Sequence, residues 1–266
     1  MLSNGVKKVG TMKSKVSLHR LYPYLLSFPA ILLVASVSIY PTLYSFYLSM
    51  TRLRGGEVQF VGLRNFSILL SSSDFYESLS ATLVFLVFYV VLTVIISLLV
   101  SLVLNTEIRA NGIYMTIIFL PWILSEITSG VVWRWFFYRD FGLLQNLLGP
   151  LFNDATIITT PGGAMGIVIA ATIWRSISFG MLLLLAGLQT IPKEVYEAAS
   201  VDGAVRFTQF KLITWPLLFP TIMVTTAFLT IQAVNNVGMF LSITEGGPGR
   251  ATEVLSLYMY REAIEY

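Results

Sequence analysis

The sequence predicts an all-α integral membrane protein, built as a polytopic helix bundle. Hydrophobic residues make up 56% of the 266 residues and charged residues only 12%, which leaves too little polar surface to cover a water-soluble domain. Uninterrupted apolar stretches of about 20 residues, the length that a helix needs to cross a bilayer core about 30 Å thick, recur along the chain. They are spread evenly, so we expect a single membrane domain without a soluble appendage.

Five apolar stretches are predicted to span the membrane. They run from Leu21 to Met50, from Leu79 to Leu104, from Ile113 to Phe137, from Gly163 to Gln189, and from Leu212 to Val234. Pro121 lies inside the third stretch and predicts a kink there, because proline removes a helical hydrogen bond. Interrupted helices at membrane depth usually line cavities.

The first 20 residues form a basic tail. Its cationic residues are Lys7, Lys8, Lys13, Lys15 and Arg20. Cationic flanks stay on the cytoplasmic side, so the tail predicts a cytoplasmic N-terminus and places the loops near Arg109 and at 190–211 inside. The first apolar stretch is too long for a signal-peptide core and is expected to remain as a span. A net charge of +3 is typical of a prokaryotic inner-membrane protein; the tail can contact anionic lipid, and no nucleic-acid partner is implied.

The polar segment at 190–220 separates the last two spans. Pro192 suits the beginning of a helix, and Gly203 can adopt the left-handed conformation that ends one. The segment therefore predicts a helix, a sharp turn and a second helix, with Phe207 and Phe210 packing onto the membrane spans. Such a protrusion fits a groove on another protein, although an ordinary solvated loop is the alternative.

The residues of this segment resemble the EAA loop of ABC-importer membrane subunits. The matching positions are Glu197, Ala198 and Ala199, then Asp202, Gly203 and Ala204, then Pro216 and Pro220. Trp215 stands where that family usually has leucine. Leu120-Pro121-Trp122, Ala186-Gly187-Leu188-Gln189 and Gly246-Gly247-Pro248 also look like the carbohydrate branch of these permeases, so the resemblance covers nearly the whole chain.

The resemblance implies the maltose-type permease fold and a set of partners. These are a second permease forming a heterodimer, two ATP-binding subunits that hold ATP and magnesium, and an extracytoplasmic substrate-binding protein. The residues implied in coupling to the ATPase are Glu197, Ala198, Ala199, Asp202, Gly203, Ala204, Arg206 and Phe210. The chain has no phosphate-binding loop of the form G-x-x-x-x-G-K-[ST], so we expect no cofactor in this chain and ATP hydrolysis by a separate subunit.

Such permeases normally have six core spans, whereas five are visible here. The segment from Thr252 to Tyr266 carries Glu253, Arg261, Glu262 and Glu265, too many charges for a lipid-facing span. The transmembrane domain at 21–266 is therefore expected to lack its last span, either as a fragment or as a truncated product.

Polar residues inside the predicted spans are candidates for substrate binding, because they are costly in the hydrocarbon zone. They are Glu126 in the third span, Thr172, Arg175, Ser176 and Phe179 in the fourth, and Gln232, Asn235 and Asn236 in the fifth. Gln232 and Asn236 are predicted to share one helix face. By the resemblance, Ser176, Phe179, Gln232 and Asn236 are the foremost candidates; the alternative is that these groups only join helices by hydrogen bonds.

The predicted function is import of a sugar or oligosaccharide by alternating access. A phosphorylated or other small solute, such as glycerol phosphate, remains open because Arg175 is a fixed cation. An intramembrane enzyme using Glu126 as acid or base is the remaining alternative, but the membrane has no companion histidine, cysteine or second carboxylate for it. Without cysteine, and with His19 alone in the tail, the sequence predicts neither a catalytic residue nor a metal site.

Overall fold

The structure is a computed structural model that describes residues 18–54, 56–106, 111–152 and 156–264. Most of the predicted basic tail, together with Arg109 and Glu265, lies outside these residues. The chain divides into two compact units, 18–71 and 72–264 within the described range.

The first unit contains the first predicted span. Its elements are α1 (Leu18–Val34), a π-helical turn (Ala35–Ile39), α2 (Tyr40–Ser49), the strands β1 (Thr51–Arg54) and β2 (Glu57–Phe60), and α3 (Arg64–Leu70). The π turn lies just before Pro41, whose missing N–H cannot complete the regular ladder. The two strands form an antiparallel hairpin in which Thr51 faces Phe60. Asn65 ties α3 to the end of α2 by donating to the carbonyls of Ser49 and Thr51.

The second unit is a helix bundle. Its helices are α4 (Ser73–Leu104), α5 (Asn111–Ile123), α6 (Glu126–Phe136), α7 (Leu143–Leu148), α8 (Pro161–Gln189), α9 (Lys193–Val201), α10 (Arg206–Gln209), α11 (Trp215–Val234), α12 (Gly238–Ile243) and α13 (Leu255–Ile264). Short 3₁₀ turns cover Gly149–Phe152 and Ile157–Thr159, and a π-helical turn at Phe210–Thr214 joins α10 to α11. The helical segment is therefore continuous from Arg206 to Val234.

Helix α8 lies at the centre of the second unit and packs against α4, α5 and α11. The core includes the fully buried Phe85, Tyr89, Val168 and Leu229. Close approach of the helices is possible where one side is glycine: a β-carbon at Gly180 would collide with Ser97 of α4, and one at Gly187 with Thr221 of α11. Membrane helices lack a hydrophobic driving force for association, and small residues at their crossings allow the close packing that replaces it.

The predicted third span is broken. Instead of one helix from Ile113 to Phe137, α5 and α6 meet at an angle of 97° with the break at residues 124 and 125. The predicted interruption of this span is present, but it lies a few residues after Pro121 and is far sharper than a kink. Ser125 begins α6 by accepting a hydrogen bond from the Thr128 N–H at 3.1 Å, so a new helix starts there.

The other predicted spans are confirmed as long apolar helices. Among the described residues, four helical segments are long and apolar enough to cross a membrane, and the bent α5–α6 pair would make a fifth. The charged segment after Thr252 forms α13, which packs against α4 and buries Ser256 and Leu257.

Candidate functional site

The segment at 190–220 has the predicted helix–turn–helix form. Pro192 immediately precedes α9, and Gly203 follows its end with φ +81°. The Ala204 N–H donates to the Ala199 carbonyl at 2.9 Å and the Gly203 N–H to the Ser200 carbonyl at 3.1 Å. This pair of bonds is the Schellman motif, which satisfies carbonyls at a helix end and needs a left-handed residue such as glycine.

Side chains outside the family motif fix α9 to the helix that follows. The hydroxyls of Tyr196 and Thr214 are 3.0 Å apart, and the Gln209 amide donates to the Ser200 hydroxyl at 2.9 Å and to the Ala204 carbonyl at 3.0 Å. Sequence reasoning missed Tyr196 and Gln209, because their partners are brought near only by the turn. We call residues 193–209 the knob.

The knob presents a mixed acidic and apolar surface. Glu197, Ala198, Asp202, Gly203 and Arg206 are exposed, whereas Ala199, Ala204 and Phe210 are partly buried. Val201, Val205 and Phe207 are also exposed, Val201 to 88%. The prediction that Phe207 packs onto the spans was wrong; Phe210 does so, against the cluster of Leu98, Leu184, Leu188 and Leu218.

Inside the bundle, Arg175 and Glu126 meet at the break between α5 and α6. The Arg175 Nε donates to the Leu124 carbonyl at 3.1 Å, and its Nη1 lies 3.8 Å from Glu126 Oε1. The guanidinium also lies over the Trp122 ring, 5.1 Å from its centre. The backbone carbonyl freed by the break is thus satisfied by a side chain from α8.

An aromatic stack adjoins this ion pair. Phe179 stacks on Trp122 with ring centres 4.9 Å apart and on Phe228 of α11 at 4.2 Å. Gln232 lies one helical turn beyond Phe228 on the same face; it is half-buried and makes no hydrogen bond within the described residues. We call Glu126, Arg175, Trp122, Phe179, Phe228 and Gln232 the polar–aromatic cluster. Sequence reasoning did not single out Phe228, although its spacing of four residues from Gln232 could have identified it.

Four other predicted substrate residues make hydrogen bonds within the chain. The Thr172 hydroxyl donates to the Val168 carbonyl, and the Ser176 hydroxyl accepts from Tyr89 at 2.9 Å. The side-chain amide of Asn235 donates to the Ile231 carbonyl at the end of α11. Asn236 is buried; its side-chain Oδ1 accepts a hydrogen bond from the Met239 N–H, and its backbone carbonyl accepts one from the Ser256 hydroxyl. Since α11 ends at Val234, the prediction that Gln232 and Asn236 share one helix face was wrong.

The loop at 244–254, at the opposite end of α11 from the knob, is held by charges. Glu253, with a side chain only 5% exposed, pairs with Arg250 and Arg261 at 3.0 Å each, and Arg250 also pairs with Asp74 of α4. Burial acts to lower the pKa of Arg250, but Glu253, Asp74 and Glu77 outweigh it and raise that pKa. Arg250 therefore stays charged in this network.

A pocket of about 900 Å³ lies beside this loop rather than at the polar–aromatic cluster. It is bordered by the beginnings of α4 and α8, with Glu77 and Arg250 among its lining residues. Its lining is mainly apolar, and none of the cluster residues borders it. Pocket size alone therefore does not identify the candidate site, and the cluster is singled out by its chemistry.

The chain matches a known family and several named relatives. The family described as binding-protein-dependent transport system inner membrane component matches residues 104–264. The trehalose/maltose transport system permease protein MalF of Thermococcus litoralis is 35% identical over 89% of this chain and 81% of its own length. The sn-glycerol-3-phosphate transport system permease protein UgpA of Agrobacterium fabrum is 33% identical over 95% of this chain and 87% of its own.

A solved structure shares the fold. A chain of a bacterial alginate ABC transporter, crystallised in complex with an alginate pentasaccharide-bound periplasmic protein, aligns with a TM-score of 0.77 at 23% identity, covering 93% of this chain and 85% of that one. At this identity the likeness concerns the fold alone. The family match over more than half of the chain, and relatives more than 30% identical along most of their length, show that the chain belongs to the binding-protein-dependent transport system inner membrane components, the multi-pass permease subunits of ABC importers.

Proposed function

We propose that this permease imports a sugar or oligosaccharide and that the knob couples it to a separate ATPase subunit. The observation that carries the coupling is the knob itself, whose helix α9 has no buried residue although it is firmly attached to the beginning of α11. An exposed helix with an acid, small residues and apolar side chains is suited to a groove on a partner.

The coupling contact uses Glu197, Ala198, Asp202, Gly203 and Arg206, with Val201 and Phe207 added by their exposure. Ala199 and Ala204 within the knob, and Phe210 just after it, are partly buried and support its shape. The partners follow the family: a second permease in a heterodimer, two ATPase subunits that bind ATP and magnesium, and a binding protein on the outer face. In the proposed assembly the N-terminus and the knob lie in the cytoplasm.

Substrate is proposed to bind at the polar–aromatic cluster. Aromatic faces at Phe179 and Phe228 suit the apolar face of a sugar ring, and the free amide of Gln232 suits its hydroxyls. Glu126 and Arg175 supply further polar groups. Thr172, Ser176, Asn235 and Asn236 support this surface through the hydrogen bonds that they make within the chain.

Sugar is favoured as the substrate because relatives of this chain are named for trehalose/maltose and lactose transport. A phosphorylated solute is the second candidate, since other relatives are named for sn-glycerol-3-phosphate and Arg175 is a cation in the middle of α8. Alternating access, driven by closure of the ATPase subunits, would expose the cluster to the two sides of the membrane in turn.

The proposal is tested by purifying the chain from membranes and measuring ATPase activity in the eluate with candidate sugars and their binding proteins. We expect a second permease and an ATPase to co-purify, with turnover that rises when a loaded binding protein is added. Recovery of the chain alone would contradict the proposed assembly.

Charge reversal tests the knob directly. Glu197→Lys is expected to abolish the stimulation of ATPase by the loaded binding protein while the chain remains inserted, because a lysine replaces the acid at the contact. Glu194→Lys, one turn earlier on the same exposed helix, is the matched control and is expected to retain coupling. Equal stimulation in both variants and in the parent would refute the docking role of Glu197.

A further inference from the structure

The ion pair between Arg175 and Glu126 places two opposite charges in the middle of the bundle. Arg175 is the only charged residue of α8, close to the midpoint of its 29 residues. Glu126 begins α6 immediately after the break. A charge at this depth is costly and is retained where it contributes to a site or pathway.

The contacts of Arg175 leave part of its charge available. Its Nε donates to the Leu124 carbonyl, and one face of its guanidinium lies over the Trp122 ring. The 3.8 Å between Nη1 and Glu126 Oε1 is too long for a hydrogen bond, yet close enough for the carboxylate to balance the positive charge. Both side chains remain partly accessible, at 15% and 31%.

The pair therefore makes the polar–aromatic cluster neutral overall. An arginine alone would attract phosphate, sulfonate or carboxylate groups, whereas the adjacent carboxylate repels them. Among the described residues, α5 and α11 carry no charged side chain and α8 carries only Arg175. The other charged residue of α6, Arg134, is paired with Glu245.

We propose that Glu126 determines the charge specificity of this permease, by neutralising Arg175 so that the cluster accepts uncharged polyhydroxylated substrates and rejects anionic ones. This inference rests on the proposed substrate site, and it decides between the two substrate classes that the relatives leave open. Glu126 acts through Arg175, while the aromatic stack and Gln232 supply the contacts to the substrate.

The test measures binding of glucose and glucose 6-phosphate to the purified importer in nanodiscs, without a binding protein. In Glu126→Gln the affinity for glucose 6-phosphate should rise by about tenfold, because an unbalanced guanidinium then faces the site. The affinity for glucose should change little. Glu245→Gln is the matched control, since Glu245 is also paired with an arginine, Arg134, but lies in the loop at 244–254; it should leave both affinities unchanged.

Two further variants keep the inference falsifiable if Glu126→Gln fails to assemble. Arg175→Gln leaves the carboxylate unbalanced, so cationic glucosamine should gain affinity in place of the anion. The double variant Glu126→Gln with Arg175→Gln should lose both gains. A variant that merely loosened the structure would not favour an anionic ligand in one case and a cationic ligand in the other.

Unchanged affinity for glucose 6-phosphate in Glu126→Gln, or for glucosamine in Arg175→Gln, would overturn the inference. Inorganic phosphate is included as a probe without a sugar ring. If phosphate gains affinity in Glu126→Gln while no carbohydrate stimulates the ATPase of the parent, the sugar function fails and the charge role of Glu126 stands. These two failures are therefore distinguishable.

Discussion

Gly203 shows how one residue sets the shape of a whole surface. Its φ of +81° turns the chain after α9, and a β-carbon added there would meet nothing within 4 Å. The requirement for glycine is therefore conformational and not steric. The left-handed conformation costs most residues about 1–2 kcal/mol, whereas asparagine tolerates it.

We expect Gly203→Val to distort the knob at a cost of about 1–2 kcal/mol and to lower stimulated ATPase activity. Gly203→Asn, which fills the same open space, should keep most of that activity. Stimulation would be measured in membrane vesicles with the chain's insertion checked by immunoblot. Equal loss in both variants would point to crowding at a partner surface instead of to the turn.

Glu253 is the second residue whose surroundings predict a measurable effect. It is held by Arg250 and Arg261 and has a side chain only 5% exposed, whereas that of Glu245 is 61% exposed beside Arg134. Removing a buried partner leaves charges without compensation, but an exposed pair contributes little.

Glu253→Gln is expected to destabilise the protein by about 3 kcal/mol and Glu245→Gln by less than about 1 kcal/mol. The comparison can be made by thermal unfolding of the purified chain in one detergent. Similar unfolding temperatures for the two variants would mean that the network around Glu253 is solvated.

Among the elements, α6 and α12 form an extensive helix pair outside the central helices. A β-carbon at Gly130 of α6 would overlap the Ser242 hydroxyl of α12, and one at Gly238 of α12 would press on Glu126 of α6. Each helix thus has a glycine at its contact with the other. This reciprocal contact keeps α6 beside α12 although α6 is bent away from α5.

Gly130→Ala is therefore expected to destabilise the protein by about 1–3 kcal/mol through overpacking. Ser242→Gly should restore part of that loss when combined with it. Gly166→Ala in α8 is the matched control, because nothing lies within 4 Å of an added β-carbon there, and it should be neutral or slightly stabilising. Unfolding in detergent would compare the variants; equal effects of the two alanines would contradict the packing argument.

The helices were largely predictable from the sequence, whereas the position and sharpness of the break between α5 and α6 were not. Hydropathy located α4, α8 and α11 because lipid demands long apolar runs whatever the tertiary contacts. The break depends on Arg175, which donates to the Leu124 carbonyl from 51 positions along the chain. Pro121 alone indicated only that some irregularity was near.

For the candidate site, the sequence identified several of the residues but not their arrangement. Pattern reasoning selected Glu126, Arg175 and Phe179 because they are polar or aromatic inside apolar runs, but only tertiary packing brings them together. Asn236 was placed on a helix face that ends two residues earlier. Phe207 was assigned to the core by its spacing from Phe210, but the turn at Gly203 leaves it exposed.

For the whole molecule, α8 is a predicted span that separates the loop after α6 from the knob, so we expect the two to lie on opposite sides of the membrane. The chain has no cysteine, so single cysteines report topology without background. Val201 in the knob and Asp140 between α6 and α7 are both exposed.

We expect a membrane-impermeant thiol reagent to label Asp140→Cys in intact spheroplasts and Val201→Cys only in inverted vesicles. This outcome follows from a cytoplasmic basic tail and knob. Labelling of both cysteines from the same side would exclude the topology, and the reverse pattern would invert the orientation.

The continuous helical segment from Arg206 to Val234 has a mechanical consequence. Its 29 residues make a rod about 43 Å long, with the knob attached at one end and Phe228 and Gln232 near the other. A stiff rod held around its middle by α4 and α8 acts as a lever, so a tilt of about 15° imposed at the knob end moves the far end by about 5 Å in the opposite direction. Phe228, about 12 Å beyond the middle of the rod, would move by about 3 Å, which is enough to separate its ring from that of Phe179.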